Sequence, residues 1–284
     1  LEAGLYIVPT PIGNLSDISL RAIEVLKYAD LIAAEDTRHS QNLLSHLGVT
    51  TPTIAYHEHS KETVAEKLLE RLAQGQRIAL ISDAGTPLVS DPGYHLVRDV
   101  QAAGLPVIPL PGACSVITAL SASGLPTDRF YFEGFLPAKQ TQRRRRLEAL
   151  ANQEGTLIFL EAPHRIVATL EDMVAVLDVG REAVLARELT KTFETISRQA
   201  LKDLSQWVAD DPNQQRGELV LMLGPALTPP SQVLDASVRR ILMLLAAELP
   251  PRKAAALTAE ITGVKARELY EALVAQKLDE QGYT

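Results

Sequence analysis

The residues able to do chemistry cluster where apolar runs end. In "ALISDAGTPLVSDPG" (79–93) a run of buried type gives way to Asp83, Gly85, Thr86, Pro87 and Asp91. Glycine and proline fix turns, and small side chains let a ligand reach backbone N–H groups. Two further stretches share this character, "PTPIGNLSDIS" (9–19) and "PLPGACSVITALSASGL" (109–125). Open α/β sheets bind ligands beyond the carboxyl ends of their strands, and a helix starting after each loop turns its first amides to the same place. None of the three is a Walker loop or a G-x-G-x-x-G fingerprint, so neither a nucleoside triphosphate nor a dinucleotide pyrophosphate is indicated. A carboxylate at Asp83 repels phosphate; it accepts hydrogen bonds from hydroxyls and attracts cations. A ligand with ribose hydroxyls, an ammonium and little negative charge suits such a loop; S-adenosylmethionine has those features, and its sulfonium is a further cation. The plainer role for Asp83 and Asp91 is capping of turns and helices.

The elements that must position these residues alternate. Strand-like runs fall at 5–10, 30–35, 51–57, 77–83 and 106–112, with helix-like segments at 19–29, 37–47, 60–75 and 93–104. Continuous apolar strands separated by helices predict βα units around a largely parallel sheet covered on both faces. Ser60 precedes the third helix and Gly75 follows it. A second α/β unit is expected over 127–224. Its strands are placed at 129–135, 155–162, 182–189 and 218–223, and its helices at 139–151, near 164–177 and at 200–209. The first unit spans 1–126. "GPALTPPSQ" (224–232) reads as a linker. Three amphipathic segments (237–249, 251–263 and 264–277) form a helical unit over 233–284, with Gly263 at a helix-turn-helix bend.

Composition narrows the class. Twenty-eight Lys/Arg against 35 Asp/Glu give a net charge of −7, unlike a general nucleic-acid coat protein. The charge is uneven: residues 1–128 hold eight cations and fourteen anions, whereas "AKQTQRRRR" (138–146) holds five cations and no anion. Such a patch binds phosphate even on an acidic molecule. Cys114, the single cysteine, excludes an internal disulfide and argues for a reducing, cytoplasmic compartment. No apolar run approaches the roughly 20 residues of a membrane span, and residues 1–10 lack a leader pattern. "HEH" (57–59) lacks a third ligand cluster, so no metal is expected.

"VPTPIGNLSDIS", "AEDTR", "ISDAGTPLVSDPGYHLV", "GFLP", "EAPHRI" and "ARELTKTFE" closely resemble the tetrapyrrole-methylase-like, or class III, methyltransferases, from about Leu5 to Leu278. Within them they are similar to the branch that methylates the ribose 2′-hydroxyl of a decoding-centre cytidine in 16S rRNA. The tetrapyrrole enzymes usually carry a G-x-G-x-G-D loop and a later G-D-P loop, which this chain lacks in that form. The resemblance implies two α/β domains with S-adenosylmethionine folded between them, a homodimer, and 16S rRNA or the small ribosomal subunit as partner. By position, Ile12 and Gly13 line the first wall of the cofactor site. Asp83, Gly85, Thr86 and Pro87 hold the ribose and amino-acid portion, Ser115 and Val116 contact the methionyl end, and Leu160 and Leu221 cover the adenine.

Methyl transfer to a hydroxyl needs the oxygen in line within about 3–3.5 Å, aided by a base or a cation beside the developing alkoxide. Three charged sets follow strands: "AEDTR" (34–38), "EAPHR" (161–165) and "ARELTKTFE" (186–194). Asp36 and Glu188 are the candidate proton acceptors, and Lys191 with Arg187 a clamp on phosphate. For Glu188 the competing role is an ion pair with Arg187 or Lys191. Arg38, Arg165 and the run Arg143, Arg144, Arg145 and Arg146 are the candidate RNA contacts, the run's alternative being a solvated helix face. Arg239, Arg240, Arg252, Lys253, Lys265 and Arg267 form a second basic patch. Two other functions compete: a precorrin-type methyltransferase, against which the basic run and helical extension speak, and a non-catalytic RNA-binding assembly factor.

Overall fold

The computed structural model describes residues 1–56, 62–89, 93–226 and 236–281. The His57–His59 pair, Ser60, Asp91 and most of the expected linker lie outside them.

The first unit is the parallel sheet that the apolar runs predict. Strands β1 (Gly4–Ile7), β2 (Leu31–Ala34), β3 (Thr53–Ala55), β4 (Arg77–Ile81) and β5 (Val107–Pro109) lie in the order β3-β2-β4-β1-β5, every pair parallel. Helices α1 (Leu20–Tyr28), α2 (Thr37–His46), α3 (Glu62–Ala73), α4 (Tyr94–Ala102) and α5 (Ser115–Ser123) alternate with them. Both faces are covered, which is why β1 and β2 are apolar throughout and β4 is so after Arg77: Tyr6, Ile32 and Ala79 join one core, and Leu5, Leu31 and Ile78 the opposite one. Ser19 starts α1 by accepting the Ala22 amide at 3.1 Å, and Asp36 starts α2 by accepting the Arg38 amide at 2.8 Å.

The second sheet is mixed. It contains β6 (Phe130–Phe135), β7 (Thr156–Glu161), β8 (Glu182–Arg187), β9 (Thr195–Ala200) and β10 (Leu219–Leu223), in the order β6-β7-β10-β8-β9. Only β6 and β7 run parallel; the other three pairs are antiparallel. Helices α6 (Gln140–Leu150), α7 (Ile166–Val176) and α8 (Leu201–Asp210) cover one face, around Phe159, Leu170 and Leu221. On the other face Ile12, Val116 and Leu120 of the first unit pack against Ile158, Val184 and Val220. Burying each such aliphatic side chain contributes at most about 1.5–3 kcal/mol, so α5 fastens the two units together. Strand β9 has no counterpart in the sequence reading.

Helices α9 (Ala236–Glu248), α10 (Pro251–Thr262) and α11 (Ala266–Gln281) pack around Leu242, Ala254, Ala255 and Leu269. The three amphipathic segments are thus helices, with Gly263 between the last two. No helix among the described residues is long and apolar enough to cross a membrane.

Candidate active site

Sheet order explains why the unusual loops meet. β4, β1 and β5 are neighbours, so the loops after them leave the same edge, and β2 adds Glu35 and Asp36 alongside. The first two loops are tied together: Thr10 and Gly85 exchange backbone bonds of 2.9 and 3.0 Å, and the Thr10 hydroxyl donates to the Ser82 carbonyl at 3.1 Å. Gly85 has φ 81°, a conformation that side chains resist. Pro9 packs on Gly112 of the third loop, and the Thr86 hydroxyl donates to the Ala113 carbonyl there at 2.9 Å.

Between the sheets lies a cavity of about 410 Å³. Its apolar wall is Ile12, Val116, Leu160, Leu189 and Val220, and Gly85, Thr86 and Ser115 form a small polar side. Cys114, before α5, makes no side-chain cap bond, so the helix presents its first amides uncapped beside Ser115 and Val116. One carboxylate, Glu218, borders the same space and is open to solvent. Glu161, 3% exposed, also lines it, but its carboxylate turns to the helix-covered face, where it accepts the Thr169 hydroxyl at 2.7 Å and pairs with Arg165 at 3.2 Å.

A second cavity, about 300 Å³, adjoins the first, with Ile12, Ala84 and Glu218 on both walls. Its lining is more polar and includes Thr10, His39, Ser40, Asn42, Asp83 and Lys191. Asp83 is held by the Asp36 amide, which donates to Oδ1 at 3.1 Å. Lys191 Nζ lies 2.9 Å from Glu188 and 3.1 Å from Glu218. Burial opposes the Lys191 charge, but the two carboxylates outweigh it and raise its pKa. Burial likewise opposes the Glu188 charge; the Lys191 bond, the Glu218 amide and nearby cations outweigh it, so Glu188 stays ionised. Glu188 (φ 51°) and Thr190 (φ 67°) are both left-handed, a costly conformation that sets Leu189 in the first cavity and Lys191 in the second. Gly13 lies so close to Leu189, Thr190 and Lys191 that a Cβ there would collide with them.

Several expectations are corrected. Leu221 faces the helix-covered core, and Val220, one residue away on the opposite face of β10, lines the cleft. Asp83 lines the second cavity and not the first, and Pro87 lines neither. Asp36 caps α2 and lines neither. Its pKa is lowered chiefly by the Arg38 amide. Arg187 is 9% exposed and spends its donors on Gln214, the Phe193 carbonyl and Thr195. Arg143, 4% exposed, is paired with fully buried Asp172, which also binds Arg144; Arg146 is paired with Glu133. Arg165 turns to the Leu136 carbonyl at 2.6 Å. Arg145 is exposed with no ion-pair partner among the described residues, and Arg38 is 92% exposed. Ile12, Gly85, Thr86, Ser115, Val116 and Leu160 do line the first cavity, and Ile12, Gly13 and Lys191 the second. Glu161, Leu189, Glu218, His39, Ser40 and Asn42 were not singled out by the sequence. Glu161 carried a signal as the first residue of the charged set 161–165, and Leu189 as the apolar residue inside a charged loop.

Two α/β sheets joined by an apolar cleft, with loops after β1, β4 and β5 on its rim, define a methylase fold. Residues 4–205 match the model of the Tetrapyrrole (Corrin/Porphyrin) Methylases, and residues 232–277 that of the RsmI C-terminal HTH domain. The solved uroporphyrin-III C-methyltransferase of Thermus thermophilus, complexed with S-adenosyl homocysteine, is 20% identical with a TM-score of 0.54. That match covers 79% of this chain and 98% of that one. A diphthine synthase structure is 16% identical with a TM-score of 0.58, covering 78% and 89%. The ribosomal RNA small subunit methyltransferase I of Pseudomonas aeruginosa is 55% identical over 99% of both chains. That of Escherichia coli O157:H7 is 55% identical over 97% of this chain and 96% of its own. The chain therefore belongs to the tetrapyrrole methylase family and, within it, to the small-subunit ribosomal RNA methyltransferases I.

Proposed function

We propose that this chain methylates the ribose 2′-hydroxyl of a decoding-centre cytidine in 16S rRNA, with S-adenosylmethionine as donor. The carrying observation is the pair of cavities that share Ile12, Ala84 and Glu218, one apolar and the other more polar. The first fits the cofactor by its donor set. Apolar Leu160, Val116 and Val220 suit an adenine, the uncapped amides of α5 suit a carboxylate, and the exposed Glu218 suits a cationic centre. When bound, the cofactor supplies an electrophilic methyl carbon.

This chain's own residues do the rest. Asp83 accepts the hydrogen bond and then the proton of the incoming ribose hydroxyl as the oxygen takes the methyl group and the sulfonium leaves as a neutral thioether, and its held position sets the angle of approach. Lys191, steadied by Glu188 and Glu218, places a positive charge beside the oxygen as its negative charge grows. Glu188 is already committed to Lys191 and the Glu218 amide, so it acts as a positioning residue and not as the base. Arg38 and Arg145 offer unburied guanidinium groups to phosphate, and the helical unit over 233–284 adds a second RNA contact. Family likeness also supports a homodimer and a cytoplasmic setting.

Incubation with cofactor and small ribosomal subunits, followed by mapping of ribose methylation, tests this reading. One new 2′-O-methyl group at a decoding-centre cytidine is expected. Methyl groups on bases alone, or none, would defeat it.

A further inference from the structure

We propose that the second cavity receives the whole target nucleoside, base included, so that the nucleotide leaves its stack to reach the cofactor. The proposal rests on the reading of the chain as a ribose methyltransferase and deepens it. Ser40 lies inside α2, where a serine hydroxyl ordinarily returns to the carbonyl four residues back. Here its Oγ has no hydrogen-bond partner, although Ser40 is only 3% exposed and lines this cavity. An orphaned buried hydroxyl costs stability, and a ligand that partners it is one reason for it to persist. One turn of the same helix also brings Asn42 and His39 to the cavity, and no bond within the described residues occupies either side chain.

The chemistry of the lining suits a pyrimidine nucleoside. Asn42 and Ser40 each donate and accept, matching the carbonyl, ring nitrogen and amino group of a cytosine edge. Leu43, Leu15 and Pro11 supply apolar surface for the ring faces. Asp83 and Lys191 stand in the same cavity, so a base held by α2 leaves its ribose among the groups assigned to the hydroxyl. Enzymes that modify a nucleotide within structured RNA or DNA commonly extrude it, and the unstacking is offset by contacts in such a pocket. Arg38, adjacent to His39 and 92% exposed, lies where a flanking phosphate would pass.

The test compares Ser40→Ala and Asn42→Ala with the unaltered protein, on small ribosomal subunits and with S-adenosylhomocysteine as calorimetric ligand. Each variant should lower kcat/KM for methyl transfer about tenfold, the effect of stranding one polar group of the base, with unchanged S-adenosylhomocysteine affinity. The Ser40→Ala melting temperature should be unchanged or higher, because an unpartnered hydroxyl has been removed; Asn42 is exposed, so its variant folds regardless. Wild-type kcat/KM in both variants would overturn the nucleoside pocket while leaving ribose methylation intact. So would a loss matched by weaker S-adenosylhomocysteine binding, which would move Ser40 to the cofactor. An unaltered protein that binds S-adenosylhomocysteine but methylates no subunit would defeat the parent reading and this one together.

Discussion

Lys191, Asp83 and Asp30 show how single residues divide between chemistry and structure. Lys191 sits at the seam of the two units, against Gly13 and between two carboxylates. Replacing it with Met should lower kcat by at least about tenfold with little change in cofactor affinity if, as proposed, its charge acts on the developing oxygen; single-turnover kinetics would check this. Asp83→Asn keeps the acceptor for the Asp36 amide but removes the carboxylate charge. Methyl transfer should fall about 100-fold, in the range for loss of a proton acceptor, while the melting temperature stays within a degree or so of wild type. Asp30 is purely structural. Its bonds to Arg77, 2.7 to 3.0 Å long, lower its pKa to about 2. A depressed carboxylate contributes stability that is complete above its unfolded value near 3.9 and is lost as pH falls towards 2. Asp30→Asn should therefore be less stable than wild type at neutral pH, and the two denaturation midpoints should converge between about pH 4 and pH 2.

The basic helix α6 shows what an element hides from its sequence. Five cations in nine residues read as a phosphate patch, yet the structure pairs Arg143 and Arg144 with Asp172, and Arg146 with Glu133. Those partners lie 29, 28 and 13 residues away, beyond any local pattern. Arg143→Ser should destabilise the protein by about 3–5 kcal/mol, because fully buried Asp172 loses one of its cations. Arg145→Ser should leave stability unchanged and reduce the salt dependence of subunit binding by about one counterion. Chemical denaturation and filter binding across a salt series would separate the two effects. Strand β9 was hidden for a different reason: "TISRQA" is a polar edge strand with no apolar run. Leu221 and Val220 differ by one position, and in a strand that selects opposite faces. The central parallel strands, by contrast, were legible because burial on both faces makes them apolar almost from end to end. The loops were legible because turn chemistry needs particular residues.

At the scale of the molecule, the three units divide the labour. The first sheet supplies three rim loops, the second closes an apolar cleft over them, and the C-terminal helices fold around a core of their own. A chain lacking residues 233–284 should thus bind S-adenosylhomocysteine with wild-type affinity and, on the proposed RNA-contacting role of that unit, methylate small subunits at least about tenfold more slowly. Calorimetry and a methyl-incorporation assay on the same preparation would show whether the two properties part. The cleft itself is most directly tested by a crystal structure with S-adenosylhomocysteine at saturating concentration. Density is expected between the sheets, touching Ile12, Gly85, Val116, Leu160 and Val220, with its sulfur towards the wall shared with the Asp83–Lys191 cavity. Density elsewhere, with that cleft empty, would contradict the account.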